Sequence, residues 1–265
     1  MNEQECRLEA EHRFQSDPSK CFQRHIREVY DEQEARPKLT SLKSAIVTRV
    51  SNIEAKAIIT KYEWLKTMGA GTKFCYGLKL NDELLGVACF NVGGSHEARN
   101  VCGPETISKT LFLCRGACVP HAPKDAGSFL VRHACRLAHK DFGYEVFLAY
   151  SDPDAGEIGT IYQAVGWKFL GPSLGRGLKK RGRHLDFIAP DGKRLSSKNI
   201  YPGAVRLGWT DKSGVSKRDF LRSLGYMNHW TADKDKWVWF ENKQMESQCR
   251  FPFLSYPKRK GLSGN

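Results

Sequence analysis

No apolar run in the chain approaches the roughly 18 residues that a bilayer crossing needs, so no membrane-spanning helix is expected. There is no Cys-x-x-Cys. The nine cysteines, at 6, 21, 75, 89, 102, 114, 118, 135 and 249, follow no zinc-like spacing, so they read as reduced, mostly buried thiols of a cytosolic protein. Residues 1–11 carry Glu3, Glu5, Glu9 and Glu11 and no apolar stretch, which argues against a secretory signal. Internal repeats and low-complexity tracts are missing too. Acidic residues are scarce in one place only: residues 171–265 hold 8 Asp/Glu against 20 Lys/Arg, whereas residues 1–170 hold 21 against 22.

What is present is a chain of 265 residues, 40% of them hydrophobic, enough for a real core in one large domain or two small ones. The cationic final third suits a polyanion, because neutralising phosphates releases condensed counterions. It also carries Trp209, Trp230, Trp237 and Trp239, and aromatics among cations can stack an exposed base. The plainer account is a small aromatic core with lysines that aid solubility. An acidic protein partner or a membrane surface would also suit the charge.

Residues 1–43 read as an N-terminal extension with one short helix near 21–34. From Ser44 the pattern is regular. Residues 44–50 alternate as a strand, and Ser51-Asn52-Ile53-Glu54 has capping-box spacing for a helix to about Leu65. Runs 74–80 and 83–91 flank Asn81-Asp82, a hairpin turn. Residues 110–119 (TLFLCRGACV) form a further strand, 125–141 an amphipathic helix stopped at Gly143, and 144–150 (YEVFLAY) a strand covered on both faces. A short helix at 157–165 and a strand at 167–170 follow. The order predicts an α/β fold with a mixed sheet over 44–172. Residues 173–265 read as a separate basic region with short strands at 184–188 and 237–240 and small helices at 199–207 and 216–224.

The strand–helix–strand–helix order, ending in Gly159-Thr160-Ile161-Tyr162-Gln163-Ala164-Val165-Gly166-Trp167, resembles the Gcn5-related acetyltransferase (GNAT) core. Arg115 late in its strand, Ser128 early in the helix, Tyr150-Ser151-Asp152, Ile161-Tyr162-Gln163-Ala164 and the closing Tyr256-Pro257-Lys258 resemble the Mom family of phage DNA-modification proteins more closely. That resemblance implies an acetyltransferase-like fold with a basic C-terminal extension, in the host cytoplasm. It also implies transfer of a carbamoylmethyl-type group, derived from acetyl-CoA or a related acyl-CoA, to the exocyclic amine of adenine in double-stranded DNA, protecting the DNA from restriction. Two other readings stand beside it: an acetyltransferase for a protein or small-molecule amine, and a catalytically silent DNA-binding protein on the same shell.

On this resemblance Asp152 is the base, with a turn cap in Asp152-Pro153-Asp154 as the alternative. Tyr162 sits near the donor's sulfur and protonates a leaving thiolate, or simply packs its helix on the sheet. Arg115 binds the donor's phosphates or holds Asp152. Lys124 and Ser128 add a charge and a hydroxyl at the helix N-terminus, though the stretch 120–128 has a single glycine where acetyltransferases carry more, and Ser128 also reads as an ordinary first-turn residue. Lys61-Tyr62 stands where relatives often carry His. Lys179, Lys180, Arg181, Arg183, Trp237, Lys258 and Arg259 are the expected DNA contacts. Iron has been associated with this chemistry, but His133 and His139 are six apart on one helix and no ligand spacing supports it, so no metal residue is assigned.

Overall fold

The computed structural model describes residues 1–69, 71–93, 100–173, 183–192, 194–196 and 199–258, with Arg183 described by its backbone alone. Lys179, Lys180, Arg181 and Arg259, expected to meet DNA, lie outside the described residues. The chain forms two compact units, one of Met1–Gly171 with Asp235–Asn265 and one of Pro172–Lys234.

The first unit opens with helices α1 (Glu3–Ser16) and α2 (Phe22–Glu34). Strand β1 (Ile46–Val50) leads to α3 (Asn52–Tyr62), which starts on the expected capping box: Glu54 N donates to Ser51 Oγ at 3.1 Å and Ser51 N to Glu54 Oε2 at 2.8 Å. Strands β2 (Phe74–Leu80) and β3 (Glu83–Asn91) form a hairpin whose turn residues Asn81 and Asp82 sit at φ of 49° and 65°, left-handed conformations these two side chains tolerate. Strand β4 (Thr110–Cys118), helix α4 (Ala126–Phe142), β5 (Val146–Ser151), α5 (Thr160–Ala164) and β6 (Lys168–Pro172) follow.

The sheet order among the described residues is β1-β2-β3-β4-β5-β10-β6, where β10 is Asp235–Phe240. Strands β4 and β5 are parallel, while β10 is antiparallel to β5. The division expected at residues 43 and 172 differs from this arrangement in two places. Strand β10 belongs to the central sheet, because Trp237 and Val238 bury their side chains on its opposite faces. The first 43 residues are equally integral: Cys6, Ala10, Phe22, Ile26, Val29 and Tyr30 join the main core cluster.

Alternation explains the continuous apolar run in β5. Phe147 and Ala149 face the cluster under α3 and α4, whereas Val146 and Leu148 face a second cluster with Phe112, Leu170, Val238, Phe240 and Met245. Among the described residues no helix is long and apolar enough to cross a membrane.

The second unit has strands β7 (Arg183–Ile188), β8 (Arg194–Leu195) and β9 (Met227–Ala232) in the order β8-β7-β9, with α6 (Ile200–Arg206) and α7 (Lys217–Ser223). Its core is Leu185, Phe187, Ile200, Ala204, Trp209 and Leu221. It holds 14 Lys/Arg against 5 Asp/Glu, so much of the chain's basic surplus lies here. The first unit closes with α8 (Lys243–Ser247) and a single bridge between Phe169 and Leu254.

Candidate functional site

The parallel pair comes apart. Its register runs from Thr110↔Val146 to Leu113↔Ala149 and stops. Beyond that point β4 stays with β3 and β5 stays with β10, through Tyr150↔Lys236 and Ser151↔Asp235. The cause is a bulge. Cys89 pairs with Arg115 and Phe90 with Leu113, so Cys114 has no opposite residue and the strand bends there. The Cys114 thiol donates to the carbonyl of Cys89 at 3.1 Å, which fixes the bulge. The result is a cleft at the carboxyl ends of two diverging strands, where open α/β sheets bind ligands.

Tyr162, on α5, packs at a tilt against two tryptophans. Its ring centroid lies 5.1 Å from that of Trp167 and 5.6 Å from that of Trp237. No protein group bonds its hydroxyl among the described residues. Burial pushes the phenol far above its ordinary pKa, helped by the charges of Glu157 and, more weakly, Glu63.

Asp152 ends β5 and is 5% exposed. Its Oδ1 accepts from Asp154 N at 3.1 Å, and its own N–H donates to Glu157 Oε2 at 2.8 Å. The turn cap weighed as an alternative is therefore present. Arg115 is half-buried; its Nε donates to Thr67 O at 2.7 Å and its Nη1 to Cys114 O at 2.6 Å. The expectation that it holds Asp152 is corrected: the bulge turns its guanidinium towards the loop after α3.

The N-terminus of α4 carries Lys124 and Asp125, both exposed, and no side chain caps its first-turn amides. Ser128 Oγ donates to Asp125 O at 2.9 Å. Lys61 pairs with Glu34 at 2.8 Å, and the Tyr62 hydroxyl donates to the same carboxylate at 2.7 Å. His133 Nδ1 lies 2.8 Å from the carbonyl of Phe129 and His139 Nδ1 2.9 Å from that of Tyr144. No group of three or more His, Cys, Asp or Glu is placed to hold a metal ion among the described residues.

Trp237 is also corrected. It is fully buried in the sheet, with its indole N–H donating to Ser151 Oγ at 2.9 Å, because its β10 position faces the larger core. Trp230 is the tryptophan left open, 52% exposed on β9 beside the exposed Met227, Asn228 and His229. Lys258 is exposed near the end of the described chain.

Sequence reasoning missed Glu63 and the bulge at Cys114. Glu63 follows α3, is 5% exposed, and burial raises its carboxyl above the ordinary range against the pull of Arg115. No pattern marks a single buried glutamate in a polar stretch, and a bulge needs the neighbouring strand to be visible.

A mixed sheet that opens where the parallel contact of β4 and β5 ends defines an α/β protein. Within that class the chain belongs to the Mom protein family, which matches over residues 44–258. Solved structures similar to it include an IAA acetyltransferase from Bacillus cereus (14% identity, 74% of this chain and 99% of that one, TM-score 0.38). Others are a Bacillus subtilis acetyltransferase in complex with CoA (14%, 75% and 98%, TM-score 0.39) and an N-acetyltransferase from Staphylococcus aureus (10%, 74% and 97%, TM-score 0.37). No curated protein matches the chain.

Proposed function

We propose that the protein is a DNA-modifying transferase. Its acceptor is the exocyclic amine of adenine in double-stranded DNA, and its donor is acetyl-CoA or a related acyl-CoA. The product carries a carbamoylmethyl-type group that shields the DNA from restriction. Membership in the Mom family carries this reading.

The residues present fit such a donor. The uncapped first turn of α4 offers N–H groups to a phosphate, and Lys124 and the Ser128 hydroxyl stand beside it. Asp125 opposes this with a like charge and must point away. An acyl thioester, when bound, would supply the two-carbon unit with its thiolate as leaving group, while the amide nitrogen and the two-electron oxidation of the methyl carbon that a carbamoylmethyl product requires would come from a separate nitrogen donor and oxidant. The amine of adenine is a poor nucleophile because its lone pair is delocalised into the ring, so a base must take its proton as the new bond forms. Asp152, nearly dry just past the carboxyl end of β5, is that base. Tyr162 keeps its proton, and its O–H can donate a hydrogen bond to an anion developing beside it.

The second unit is the DNA-binding part of the proposal. Its cations, with Lys179, Lys180, Arg181 and Arg183 among them, neutralise phosphates, and Lys258 and Arg259 of the other unit are two further cations for the DNA backbone. Trp230 replaces Trp237 as the aromatic offered to an unstacked base.

Mass spectrometry of nucleosides from DNA prepared with and without the expressed protein tests the reading. A new adenosine adduct is expected. Unmodified DNA with acetylated amines in its place would make the protein an ordinary acetyltransferase, and DNA retention without any product would make it a binding protein alone.

A further inference from the structure

Helices α1 and α2 lie outside the span that matches the family, yet they hold the loop after α3, the loop before α4 and the turn after Asp152. At the loop after α3, the side-chain amide of Gln23 acts as a second peptide group. Its Nε2 donates to Tyr62 O at 2.5 Å and its Oε1 accepts from Trp64 N at 2.9 Å. These two bonds fix the backbone on both sides of Glu63. Arg7 of α1 adds a bond from Nη1 to Trp64 O. At the loop before α4, Arg27 donates to Pro120 O from Nε and Nη2, each at 3.2 Å, and to Ala122 O from Nη2 at 2.5 Å. At the turn after Asp152, a Cβ on Gly156 would lie 3.2 Å from both Cys21 Cα and Phe14 Cε2, so the hairpin rests directly on that turn.

A helical pair that only covered apolar surface would do so with apolar side chains. This one commits Gln23 and Arg27 to backbone groups of loops that water could otherwise solvate. The loop that Gln23 holds also forms a wall of the opening. Arg115 donates to Thr67 O in it, and a Cβ on Gly69 would sit 2.6 Å from Cys114 Sγ.

We propose that the α1–α2 hairpin is a working part of the site: Gln23 is the positioning residue that fixes buried Glu63 in the loop packed on Cys114 and Arg115, and Arg27 is the positioning residue that sets the phosphate-binding entry to α4. The inference rests on the transferase reading above and names parts of the same site. The charges of Arg115 on β4 and Arg7 on α1 favour the ionised form of Glu63, and its own charge acts weakly on Tyr162 of α5. Its Oε2 accepts from Leu65 N at 2.7 Å. Freeing the backbone at Tyr62 and Trp64 changes how deeply this carboxyl is buried, and therefore the pH at which it holds a proton. Freeing Pro120 and Ala122 leaves that pH alone and loosens the donor site.

The test uses the full chain with Gln23→Ala and Arg27→Ala, backed by Gln23→Glu and Arg27→Lys should either alanine variant fold poorly. Two readouts are independent of turnover: infrared titration of the carboxyls, with the Glu63 band assigned through Glu63→Gln, and calorimetric affinity for coenzyme A. The third is the pH profile of adduct formation. Gln23→Ala is expected to move the Glu63 titration by about half a pH unit or more and the rate profile with it, leaving coenzyme A affinity unchanged. Arg27→Ala is expected to weaken coenzyme A roughly tenfold and leave the titration in place. Unchanged titration and affinity in both variants overturn the inference, as do equal losses in every readout that merely follow the melting temperature. A moved Glu63 titration in a protein that makes no adenosine adduct would sink the transferase reading and leave the Gln23–Glu63 link standing.

Discussion

Asp152 and Tyr162 carry the two tests of the proposed chemistry. Asp152 caps its turn through Oδ1, and asparagine caps as well as aspartate does. Asp152→Asn keeps this cap, and the lost carboxylate should lower adduct formation by about 100-fold or more. Full activity in this variant would reduce Asp152 to its cap. The Tyr162 hydroxyl has no protein partner among the described residues, so Tyr162→Phe should cost little stability yet slow turnover by about 100-fold. Glu63 is expected to affect stability instead, and the sign is set by its raised pKa. Between its ordinary value and the raised one, the folded chain binds more protons than the unfolded chain, so stability falls as pH rises through that window. Glu63→Gln removes the penalty. Its melting temperature should equal the parent's in acid and exceed it above the window, and a constant difference across the pH range would show that the carboxyl does not titrate there.

Helix α5 shows how an element is held in place for the site. Gly159 starts it at φ +66°, and a Cβ there would lie 2.2 Å from Trp237 Cζ2. Gly159→Ala should thus cost about 2–5 kcal/mol, from the left-handed backbone and from overpacking together. Chemical denaturation measures it, and a loss below about 1 kcal/mol would show that α5 can shift freely. Local signals of this kind were the legible part of the fold. Ser51 with Glu54, Asn81-Asp82, Gly143 and the 110–150 strand–helix–strand series sit as their spacing predicts, since each depends on residues a few positions apart. What lay hidden depends on distant neighbours. Helix α1 was missed because it is charged all round and buries only Cys6 and Ala10, which a periodicity cannot reveal. Strand β10 was recognised as a strand, yet its place between β5 and β6 spans the whole second unit, so Trp237 was assigned to a surface it does not reach. For the site, Asp152 and Tyr162 were readable from the family's spacing, but the partners of Arg115 follow from a bulge that only the pairing with β3 creates.

For the molecule as a whole, the uneven charge yields a quantitative expectation about DNA. Each phosphate neutralised on a duplex contributes about 0.9 to the slope of log affinity against log salt. Replacing Lys179, Lys180, Arg181 and Arg183 together by alanine should weaken binding for every sequence and flatten that slope by roughly 0.9 for each cation that meets a phosphate. The mutant with Trp230→Ala should behave differently. It removes a stacking surface and no charge, so binding to an unpaired or abasic-flanked adenine should weaken by about 1–3 kcal/mol while the salt slope stays as it was. Trp237→Phe serves as the contrast. Its ring is sealed in the sheet, and losing the indole bond to Ser151 should lower stability without touching the DNA slope. Fluorescence anisotropy over a salt series on the full chain measures all three. An unaltered slope in the quadruple variant would remove the 179–183 segment from the DNA contact, and a changed slope in Trp230→Ala would mean that this aromatic acts by arranging neighbouring cations rather than by stacking on a base.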